Sequence, residues 1–534
     1  MSTRNGGDLV VETLAGLGAR KVFGIPGQHA LGLFDALSRS PLEFVSARIE
    51  NNAAFSADGF ARATGEVGVL FLSTGPGALT ALAGLQEALA TAVPMLVVSS
   101  QIPKAGLGGA HKGMLHQLDN QQAAAANVAK RTWVVQSASQ IPSIIEEAWG
   151  LAQSAPAGPV WIEIPQDILL GPASLAPVQN PKATVHERPL RAELATEAAD
   201  LLTASHSPVI LAGGGARRSG AHQELLELAE KLDAPVISTP GGKGVFPWEH
   251  PLSLQSWIED RAVTDLMANA DLLLVLGSSL GEVTSNYFTL QPNGKIIQVD
   301  AEVRVLESNH AALGIHSDVK VALRQILEKI PASSDRSGTQ RTTDTLAEVS
   351  TRLDAQPLEH ERKVLDAIRE ATPATAHTFW DMTIAGYWAW SAWDPRDGEF
   401  HSAQGAGGLG FGFPAAIGAA LGRNERVLAV SGDGGSMYSI SELATAKQHN
   451  APVTWLIIDD GGYGILREYM TAAFGKPTAT ELARPDFVAL AAAFGVESRH
   501  TTPETLAEAI AESWQAEGPQ VIVLNTHLAM FELS

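Results

Sequence analysis

The sequence predicts an α/β fold made of three doubly wound parallel-sheet domains. The chain has 534 residues, which exceeds the size of one ordinary hydrophobic core, so we expect about three domains. Segments with a helical spacing of apolar residues alternate with short apolar runs along the chain. This alternation is typical of parallel sheets that carry helices on both faces. Two polar stretches divide the chain into three such regions.

The first predicted domain, residues 1–170, alternates helices and strands. GGDLVVETLAGLGA is predicted as an amphipathic helix, and KVFGIPG as a short strand that ends at a turn made by Pro26 and Gly27. EFVSA is predicted as a strand and ENNAAFSADGFARATG as the helix that follows it. GVLFLSTGPG, PMLVVSS and GPVWIEIPQDI supply further strands, with ALTALAGLQEALATA as a helix between the first two.

Residues 171–190 are rich in proline and polar residues and are predicted to be a linker. A central domain is predicted over residues 191–330, with the strands PVILAGGG, APVIST, DLLLVLGSSL and KIIQVD. The polar stretch PASSDRSGTQRTTD marks a second boundary, so a second linker is predicted over residues 331–360. The last predicted domain, residues 361–534, contains the strands RVLAVSGDGG, APVTWLIIDD and PQVIVLNT.

The composition excludes several classes of protein. Lys and Arg number 37, and Asp and Glu number 58, which gives a formal net charge of −21. No basic run stands out, so nucleic acid is not an expected partner. The absence of cysteine excludes disulfides, cysteine-ligated metals and thiol nucleophiles. We see neither a signal peptide nor an apolar run of about 20 residues, so we expect a cytoplasmic protein without a membrane span.

The segment SGDGGSMYSISELATAKQHNAPVTWLIIDDGGYGILREY carries the sharpest pattern in the chain. A predicted strand ends at Ser431, and a glycine turn leads into a helix whose first N–H groups can bind phosphate oxygens. Asp433 follows the first strand and Asp460 ends the next one, and Mg²⁺ commonly pairs one or two carboxylates with substrate phosphates. We predict Mg²⁺ ligation by Asp433, Asp460, the Gly462 carbonyl, two diphosphate oxygens and a water. Taken alone, the turn is equally compatible with a plain strand–helix connection.

This block resembles the thiamine-diphosphate signature, which begins with Gly-Asp-Gly and closes with Asn-Asn or Asn-Asp. Asp460 lies 27 positions after Asp433, which matches the family spacing. Asp459 is a departure, because the family often has Asn there, and its charge adds repulsion that the cation must offset. The resemblance implies that the following residues bind the cofactor or its Mg²⁺: Gly432, Asp433, Gly434, Gly435, Asp460, Gly462, Tyr463 and Gly464.

EFVSARIENNAAFSADGFARATG resembles the family segment that carries an activating glutamate. Glu50 takes that position, and Gly-Phe-Ala-Arg at 59–62 follows at the matching spacing, whereas Ile49 replaces the family's His. The resemblance implies that the Glu50 carboxylate hydrogen-bonds to the pyrimidine N1′ and so starts deprotonation of the thiazolium ring. For an isolated glutamate in a first helical turn, a favourable interaction with the helix dipole is the alternative.

Two further segments are similar to parts of the family that surround the cofactor. GGLGFGFPAAIGAALG is similar to the segment that bends it, so Leu409 is expected to support the bent form and the Gly407 backbone to meet the pyrimidine amino group. The alternative there is an ordinary glycine-rich entry into a helix. The Pro-Gly turn of VFGIPGQHALGLFDAL places Gly27 beside the cofactor. His29 follows, at the position where benzaldehyde lyase and some decarboxylases carry a His near the reacting carbonyl.

GGAHKGMLHQLDNQQAAAANVAK looks like the family's substrate loop. His116 and Gln117 fall where acetolactate synthases carry Phe-Gln, and Gln121 is near the Gln of lyase-like members. The resemblance therefore implies catalytic roles for His29, Gln117 and Gln121, whereas a polar surface loop is the alternative. The expected lining of the substrate pocket is His29, His116, Ile465, Leu466 and Tyr469.

The resemblance covers essentially the whole chain and implies the pyrimidine-binding, central and diphosphate-binding domains of acetolactate-synthase-like enzymes. GSSLGEVTSNYFTLQP lacks the arginine pattern of biosynthetic acetolactate synthases, which favours a 2-oxo acid decarboxylase or a C–C lyase or carboligase. The substrate is then a 2-oxo acid, an aldehyde or a ketone. The alternatives are acetolactate-synthase-type ligation, hydrolysis of a diketone, and a non-catalytic member. FAD is not expected because no dinucleotide fingerprint is present. The family implies at least a homodimer and favours a homotetramer.

Overall fold

Runs of consecutive apolar residues form the central strands of three sheets in the computed structural model, which describes residues 4–173, 175–331 and 336–532. We call these three ranges the N-terminal, central and C-terminal units. Every strand pair in the three sheets is parallel. The predicted α/β fold of three doubly wound parallel sheets is therefore confirmed.

The N-terminal unit contains a six-stranded sheet. Its strands are β1 (Lys21–Gly24), β2 (Glu43–Ser46), β3 (Gly68–Leu72), β4 (Met95–Gln101), β5 (Thr132–Val134) and β6 (Pro159–Pro165). Its helices are α1 (Gly6–Gly16), α2 (Leu31–Leu37), α3 (Glu50–Thr64), α4 (Pro76–Thr80), α5 (Leu82–Ala90), α6 (Gln121–Ala125), α7 (Ile141–Gln153) and α8 (Gln166–Leu170). Strands β3, β4 and β6 are buried along their whole length, as expected for strands that are covered on both faces.

The central unit contains a five-stranded sheet in the order β11-β10-β9-β7-β8. The strands are β7 (Pro208–Ala212), β8 (Val236–Ser238), β9 (Leu272–Leu276), β10 (Lys295–Asp300) and β11 (Leu313–His316). The helices are α9 (Ala192–Ala204), α10 (Gly214–Arg218), α11 (His222–Leu232), α12 (Arg261–Asn269) and α13 (Val319–Leu327).

The C-terminal unit again contains a six-stranded sheet. Its strands are β12 (His377–Trp380), β13 (Glu399–Ser402), β14 (Val427–Gly432), β15 (Val453–Asp459), β16 (Glu497–Thr501) and β17 (Gln520–Asn525). Its helices are α14 (Gly338–Asp354), α15 (Glu359–Ala371), α16 (Ile384–Ala392), α17 (Gly412–Arg423), α18 (Asp433–Ser439), α19 (Glu442–Gln448), α20 (Gly464–Phe474), α21 (Phe487–Ala493) and α22 (Leu506–Ser513).

The two six-stranded sheets share one topology. The N-terminal order is β2-β1-β3-β4-β6-β5, and the C-terminal order β13-β12-β14-β15-β17-β16 repeats it strand for strand. Helices α3 and α17 hold equivalent places in the two units, each following the second strand of its sheet. They pack against each other, and this contact joins the two units.

The contact between α3 and α17 depends on glycine. A Cβ atom at Gly418 would overlap the backbone carbonyl of Ser56, and a Cβ atom at Gly59 would overlap that of Ala415. The two backbones therefore approach more closely than any larger residue allows at these two positions. This approach fixes α3, and the Glu50 residue at its start, relative to the C-terminal unit.

We expect the substitution Gly418→Ala to lower the free energy of unfolding by about 3 kcal/mol, because the added methyl group must push two buried helices apart. Urea denaturation followed by far-UV circular dichroism measures the loss. The control Glu508→Ala changes an exposed position of α22 and should shift stability by no more than about 0.5 kcal/mol. Equal shifts in the two variants would contradict the role that we give to this contact.

The segment predicted as the second linker is not irregular throughout. Residues 332–335 lie outside the described residues, but α14 occupies 338–354, inside the predicted 331–360 linker. The buried face of α14 includes Thr342 and Thr345, whose hydroxyls donate to backbone carbonyls of the same helix at 3.0 and 2.9 Å. Threonines on the inner face conceal the helical period of apolar residues, which is why the polar composition suggested a linker. The described part of residues 171–190 contains no helix or strand.

Among the described residues, no helix combines the length and the apolar character that crossing a membrane requires.

Candidate active site

A cavity of about 440 Å³ opens at the carboxyl ends of β12, β14 and β15 in the C-terminal unit. In open α/β sheets, ligands bind outside the carboxyl ends of the strands. The cavity brings together most of the cofactor and pocket residues that the sequence predicted. These lining residues are Gly407, Leu409, Gly432, Gly434, Gly435, Asp460, Gly462, Tyr463, Gly464, Ile465, Leu466 and Tyr469.

The glycine turn after β14 shapes the floor of this cavity. Gly432 caps the start of α18 without a side-chain hydrogen bond, so the first N–H groups of that helix lack a side-chain cap. A Cβ atom at Gly434 would lie 2.6 Å from the Tyr463 ring, and one at Gly435 would lie 2.9 Å from Oδ2 of Asp381. The glycines are therefore required by close packing, and the turn presents backbone donors suited to an anion.

Two carboxylates face each other beside the turn. Both side-chain oxygens of Asp433 are buried and lack a hydrogen-bond partner among the described residues. Burial and the negative charges of Asp460 and Asp459 raise the pKa of Asp433 to about 7. Burial also raises the pKa of Asp460, whose Oδ1 accepts a hydrogen bond from the Gly462 N–H at 3.2 Å. Two adjacent carboxylates form a donor set that fits Mg²⁺.

Asp459, which stands where the family often has Asn, is paired with an arginine in the structure. Arg484 Nε donates to Asp459 Oδ1 at 2.6 Å, while its distance to Asp433 Oδ2 is 3.8 Å. The guanidinium therefore neutralises the extra carboxylate and leaves the Asp433–Asp460 pair to a metal. The repulsion expected from Asp459 is offset by this arginine as well as by any cation.

The wall of the cavity that follows β12 was not predicted from the sequence. Asp381 follows β12, is buried, and accepts a hydrogen bond from the Gly412 N–H at 2.7 Å. Burial raises its pKa to about 6. Thr383 accepts from the Gly386 N–H and so caps α16, whose residues Ile384 and Tyr387 line the cavity. An aspartate at the carboxyl end of a strand could have indicated this residue from the sequence. The strand itself is hard to predict, because β12 has only four residues and is rich in aromatics.

Glu50 lies outside this cavity, at the start of α3. The Glu442 carboxylate accepts from the backbone N–H groups of Arg48 and Ile49 at 3.0 and 3.2 Å, which ties the start of α3 to the C-terminal unit. Glu50 is half-buried, and a Cβ atom at Gly77 would lie 3.1 Å from its Oε1. The Gly-Pro-Gly turn before α4 therefore leaves space for the Glu50 carboxylate.

Other predicted residues of the N-terminal unit lie around the same turn. The rings of His29 and His116 are 5.3 Å apart, and His116 packs against Gly75. Nδ1 of both histidines and Oγ of Ser73 are buried without a hydrogen-bond partner among the described residues. A Cβ atom at Gly27 would lie 2.5 Å from that Ser73 hydroxyl. Burial, followed by the neighbouring His116, lowers the pKa of His29, so His29 is neutral at pH 7.

The side-chain amides of the two glutamines predicted as catalytic are engaged in hydrogen bonds within the N-terminal unit. Gln121 is buried; its Oε1 accepts from the Thr74 hydroxyl and the Gly75 N–H, and its Nε2 lies 3.2 Å from Glu163 Oε1. Gln117 bonds to the Gly113 N–H and to the His111 carbonyl, within its own loop. Both side chains hold the backbone around the histidines, so their contacts indicate positioning rather than contact with a reacting atom.

The predicted residues thus form two half-sites within one chain. None of the residues that line the cavity belongs to the N-terminal unit. The cavity holds the metal and anion groups, while Glu50, Gly27, His29 and His116 belong to the second half-site. Each half-site has buried polar atoms that lack a hydrogen-bond partner among the described residues.

A second group of metal-type ligands, the buried His377 and His401 and the partly buried Glu399, lies on β12 and β13. Glu399 is ion-paired with Arg217, and His401 Nε2 is 3.1 Å from its Oε2. Burial lowers the pKa of His377 to about 4 and that of His401 to about 3. Because Arg217 already compensates the carboxylate, this group is a partly exposed ion pair beside two buried, neutral histidines.

The fold and the half-sites are those of an α/β protein with two units of one topology and an anion-binding turn at the carboxyl end of a parallel sheet. Family models agree: residues 4–124 match the N-terminal TPP binding domain of thiamine pyrophosphate enzymes, 195–326 match the central domain, and 381–524 match the C-terminal TPP binding domain. The chain belongs to the thiamine pyrophosphate enzyme family, as the resemblance implied. The two TPP-binding domains imply thiamine diphosphate as the cofactor.

Curated relatives span almost the whole chain. The chain is 33% identical to the probable 2-ketoarginine decarboxylase of Pseudomonas aeruginosa, over 95% of this chain and 90% of the relative. It is 31% identical to a probable acetolactate synthase large subunit of Methanocaldococcus jannaschii, over 97% and 91%. It is 29% identical to the acetolactate synthase isozyme 3 large subunit of Escherichia coli, over 96% and 93%. Identities of this size establish the family and leave the reaction open.

Proposed function

We propose that the protein is a thiamine-diphosphate- and Mg²⁺-dependent 2-oxo acid decarboxylase, or a C–C lyase or carboligase of the same chemistry. The observation that carries the proposal is the pair of half-sites. The Asp433 carboxylate, which has no hydrogen-bond partner among the described residues, lies with Asp460 beside a helix start without a side-chain cap, and Glu50 lies on an equivalent unit. We favour decarboxylation over ligation because no described residue that lines the cavity is cationic, and because one relative is named as a decarboxylase.

In this proposal, each group on the chain has a defined task. Asp433, Asp460 and the Gly462 carbonyl hold the cation, and the α18 N–H groups hold diphosphate oxygens. Leu409 and the Gly407 backbone hold the cofactor in its bent form. Glu50 holds the proton at the pyrimidine N1′. When bound, thiamine diphosphate supplies the nucleophilic carbon and accepts the electrons that the departing CO₂ leaves behind.

The substrate is held between the two half-sites. His29 and His116 are in place to donate to or accept from the substrate carbonyl and carboxylate, since each has an unpartnered ring nitrogen. Ile465, Leu466 and Tyr469 supply a mostly apolar wall. An apolar wall excludes water, and it weakens the solvation of the substrate carboxylate, which favours loss of CO₂.

A complete site needs a second copy of the chain, which provides the other half-site. Large apolar side chains that line the cavity remain exposed: Leu409 at 38%, Tyr438 at 52%, Leu466 at 48% and Tyr469 at 46%. Exposed apolar clusters of this kind mark interaction surfaces. A homodimer is therefore the proposed minimum unit, and a homotetramer is the assembly that the family resemblance favours.

Acetolactate formation is the second candidate function. Several relatives at 28–31% identity are named as acetolactate synthase large subunits, and the same cofactor geometry serves both reactions. The two functions differ in the fate of the fragment that remains after CO₂ leaves. It is protonated in a decarboxylase and joined to a second 2-oxo acid in a synthase.

The test is CO₂ release from pyruvate, benzoylformate, branched-chain and guanidino 2-oxo acids, with and without thiamine diphosphate and Mg²⁺. We expect release from at least one acid, dependent on both cofactors, with one aldehyde formed for each CO₂. One acetohydroxy acid formed for every two pyruvates would favour the synthase. No release by a protein that has bound the cofactor would contradict the proposal and point to an aldehyde lyase or a diketone hydrolase.

A further inference from the structure

A buried carboxylate from the central unit lies behind one wall of the cavity. Tyr387 and Tyr469 line that wall, and their hydroxyl groups interact with each other. Glu259 lies behind them, only 5% exposed, and its charge acts on both tyrosines. A third tyrosine, Tyr287, donates its hydroxyl to Glu259 Oε1 at 3.0 Å. Three hydroxyls and one carboxylate therefore gather beside the cavity.

The packing fixes Glu259 against the wall of the cavity. Trp257 and Ile258 belong to the same hydrophobic core as Ile384 of α16, and Tyr387 and Ile465 pack against that core. The central unit thus contributes a polar group to a cavity whose lining comes from the C-terminal unit. The contribution arises only through tertiary packing, because β9, β10, β11 and β12 separate Glu259 from α16 in the chain.

Glu259 lacks the cation that a buried carboxylate normally needs. Its neighbour Asp260 is paired with Arg352 at 2.8 Å, whereas no ion pair of the described residues includes Glu259. Burial raises the pKa of Glu259, and the hydrogen bond from Tyr287 is the one interaction that lowers it. Buried carboxylates without a cationic partner are costly and rare. The part of the chain that the structure describes contributes no Lys, Arg or His to the cavity lining.

The backbone that carries Tyr287 is also unusual. Asn286, Tyr287 and Phe288 have φ values of 47°, 54° and 60°, a left-handed conformation that is unfavourable for residues other than glycine. Such strain persists only where the surroundings hold it in place. Here it directs the Tyr287 hydroxyl to Glu259 while leaving the side chain 48% exposed.

We propose that Glu259, together with the hydroxyls of Tyr287, Tyr387 and Tyr469, binds a cation at the end of the substrate side chain. The substrate class is then a 2-oxo acid whose side chain ends in a guanidinium or an ammonium group. This inference rests on the proposed function, and it names the substrate class for the same site. The substrate cation compensates the carboxylate, and the tyrosine rings offer their faces to it.

The test compares two substrates of similar length that differ in charge, 5-guanidino-2-oxopentanoate and 2-oxohexanoate. For the wild type, we expect kcat/KM to favour the guanidino acid by about 100-fold. Glu259→Gln keeps the side-chain shape and an acceptor for Tyr287. We expect it to abolish the preference, mainly through KM, while 2-oxohexanoate changes by less than about 3-fold. Glu508→Gln, at an exposed position, is the matched control.

The outcomes separate this inference from the proposed function. Turnover of 2-oxohexanoate without any preference for the guanidino acid would overturn the inference and leave the decarboxylase intact. An equal loss for both substrates in Glu259→Gln would show a purely structural role and would also overturn it. If neither acid is turned over, the inference is tested by titration calorimetry, which measures the binding of 4-guanidinobutanoate to the cofactor-loaded protein. We then expect Glu259→Gln to weaken binding by about 100-fold, and equal affinities would contradict the inference.

Discussion

Replacing Glu50 with Gln is expected to lower CO₂ release by about 1,000-fold, because the amide cannot hold the proton that the pyrimidine N1′ requires. The start of α3 is fixed by Glu442 through the backbone of Arg48 and Ile49. The substitution should therefore leave the backbone in place and remove only the acid. Steady-state CO₂ release with saturating cofactors measures the effect on kcat.

Retained cofactor binding separates loss of catalysis from loss of structure. Glu50 belongs to the half-site opposite the metal and diphosphate groups, so the Kd for thiamine diphosphate should change by less than about tenfold. Glu508→Gln, the control at an exposed position, should keep full activity. A Glu50→Gln variant with near-normal turnover would contradict the assigned role and would favour the helix-dipole interpretation of this residue.

The sequence alone predicted the features that depend on residues close together in the chain. The alternation of apolar runs and amphipathic helices predicted three parallel sheets. The Gly-Asp-Gly turn and the second acidic residue predicted the groups that line one cavity. Glu50 was predicted because a short motif follows it at fixed distance, and its role stays a prediction. All of these signals lie within single strand–helix segments.

The remaining features depend on contacts between distant segments. Arg484 neutralises Asp459 beside the predicted metal site, and no pattern in the intervening sequence predicts that pair. Glu259 belongs to the central unit but acts on tyrosines of the C-terminal unit, so sequence spacing could not associate it with the pocket. Gln121 has the residue type of a catalytic amide, yet its hydrogen bonds are all used inside the N-terminal unit.

Asp433→Asn is expected to abolish cation-dependent cofactor binding and, at pH 8, to stabilise the cofactor-free protein by about 2 kcal/mol. The folded protein raises the pKa of Asp433 from 3.8 to about 7, so the wild type loses stability as the pH rises from about 4 to 7. The asparagine lacks that charge. The gain is below the full value for such a shift, because the cleft admits water and ions.

Urea denaturation of both proteins without cofactor, at pH 4.5 and at pH 8, measures this effect. Near pH 4 the carboxyl group is largely protonated in the folded state, so the stability difference should shrink. Adding Mg²⁺ and thiamine diphosphate should reverse the order, since the ligands stabilise only the protein that binds them. Equal stability at pH 8 would show that the two carboxylates do not repel each other and would weaken the case for a metal there.

The same variant tests whether the half-sites join across two chains. Neither Asp433→Asn nor Glu50→Gln chains alone should be active. A mixed dimer would contain one site with both defects and one site with none, if each site takes one half from each chain. After unfolding and refolding of an equal mixture, we therefore expect about one quarter of wild-type activity. A mixture that stays inactive although mixed dimers form would place both halves of each site within one chain.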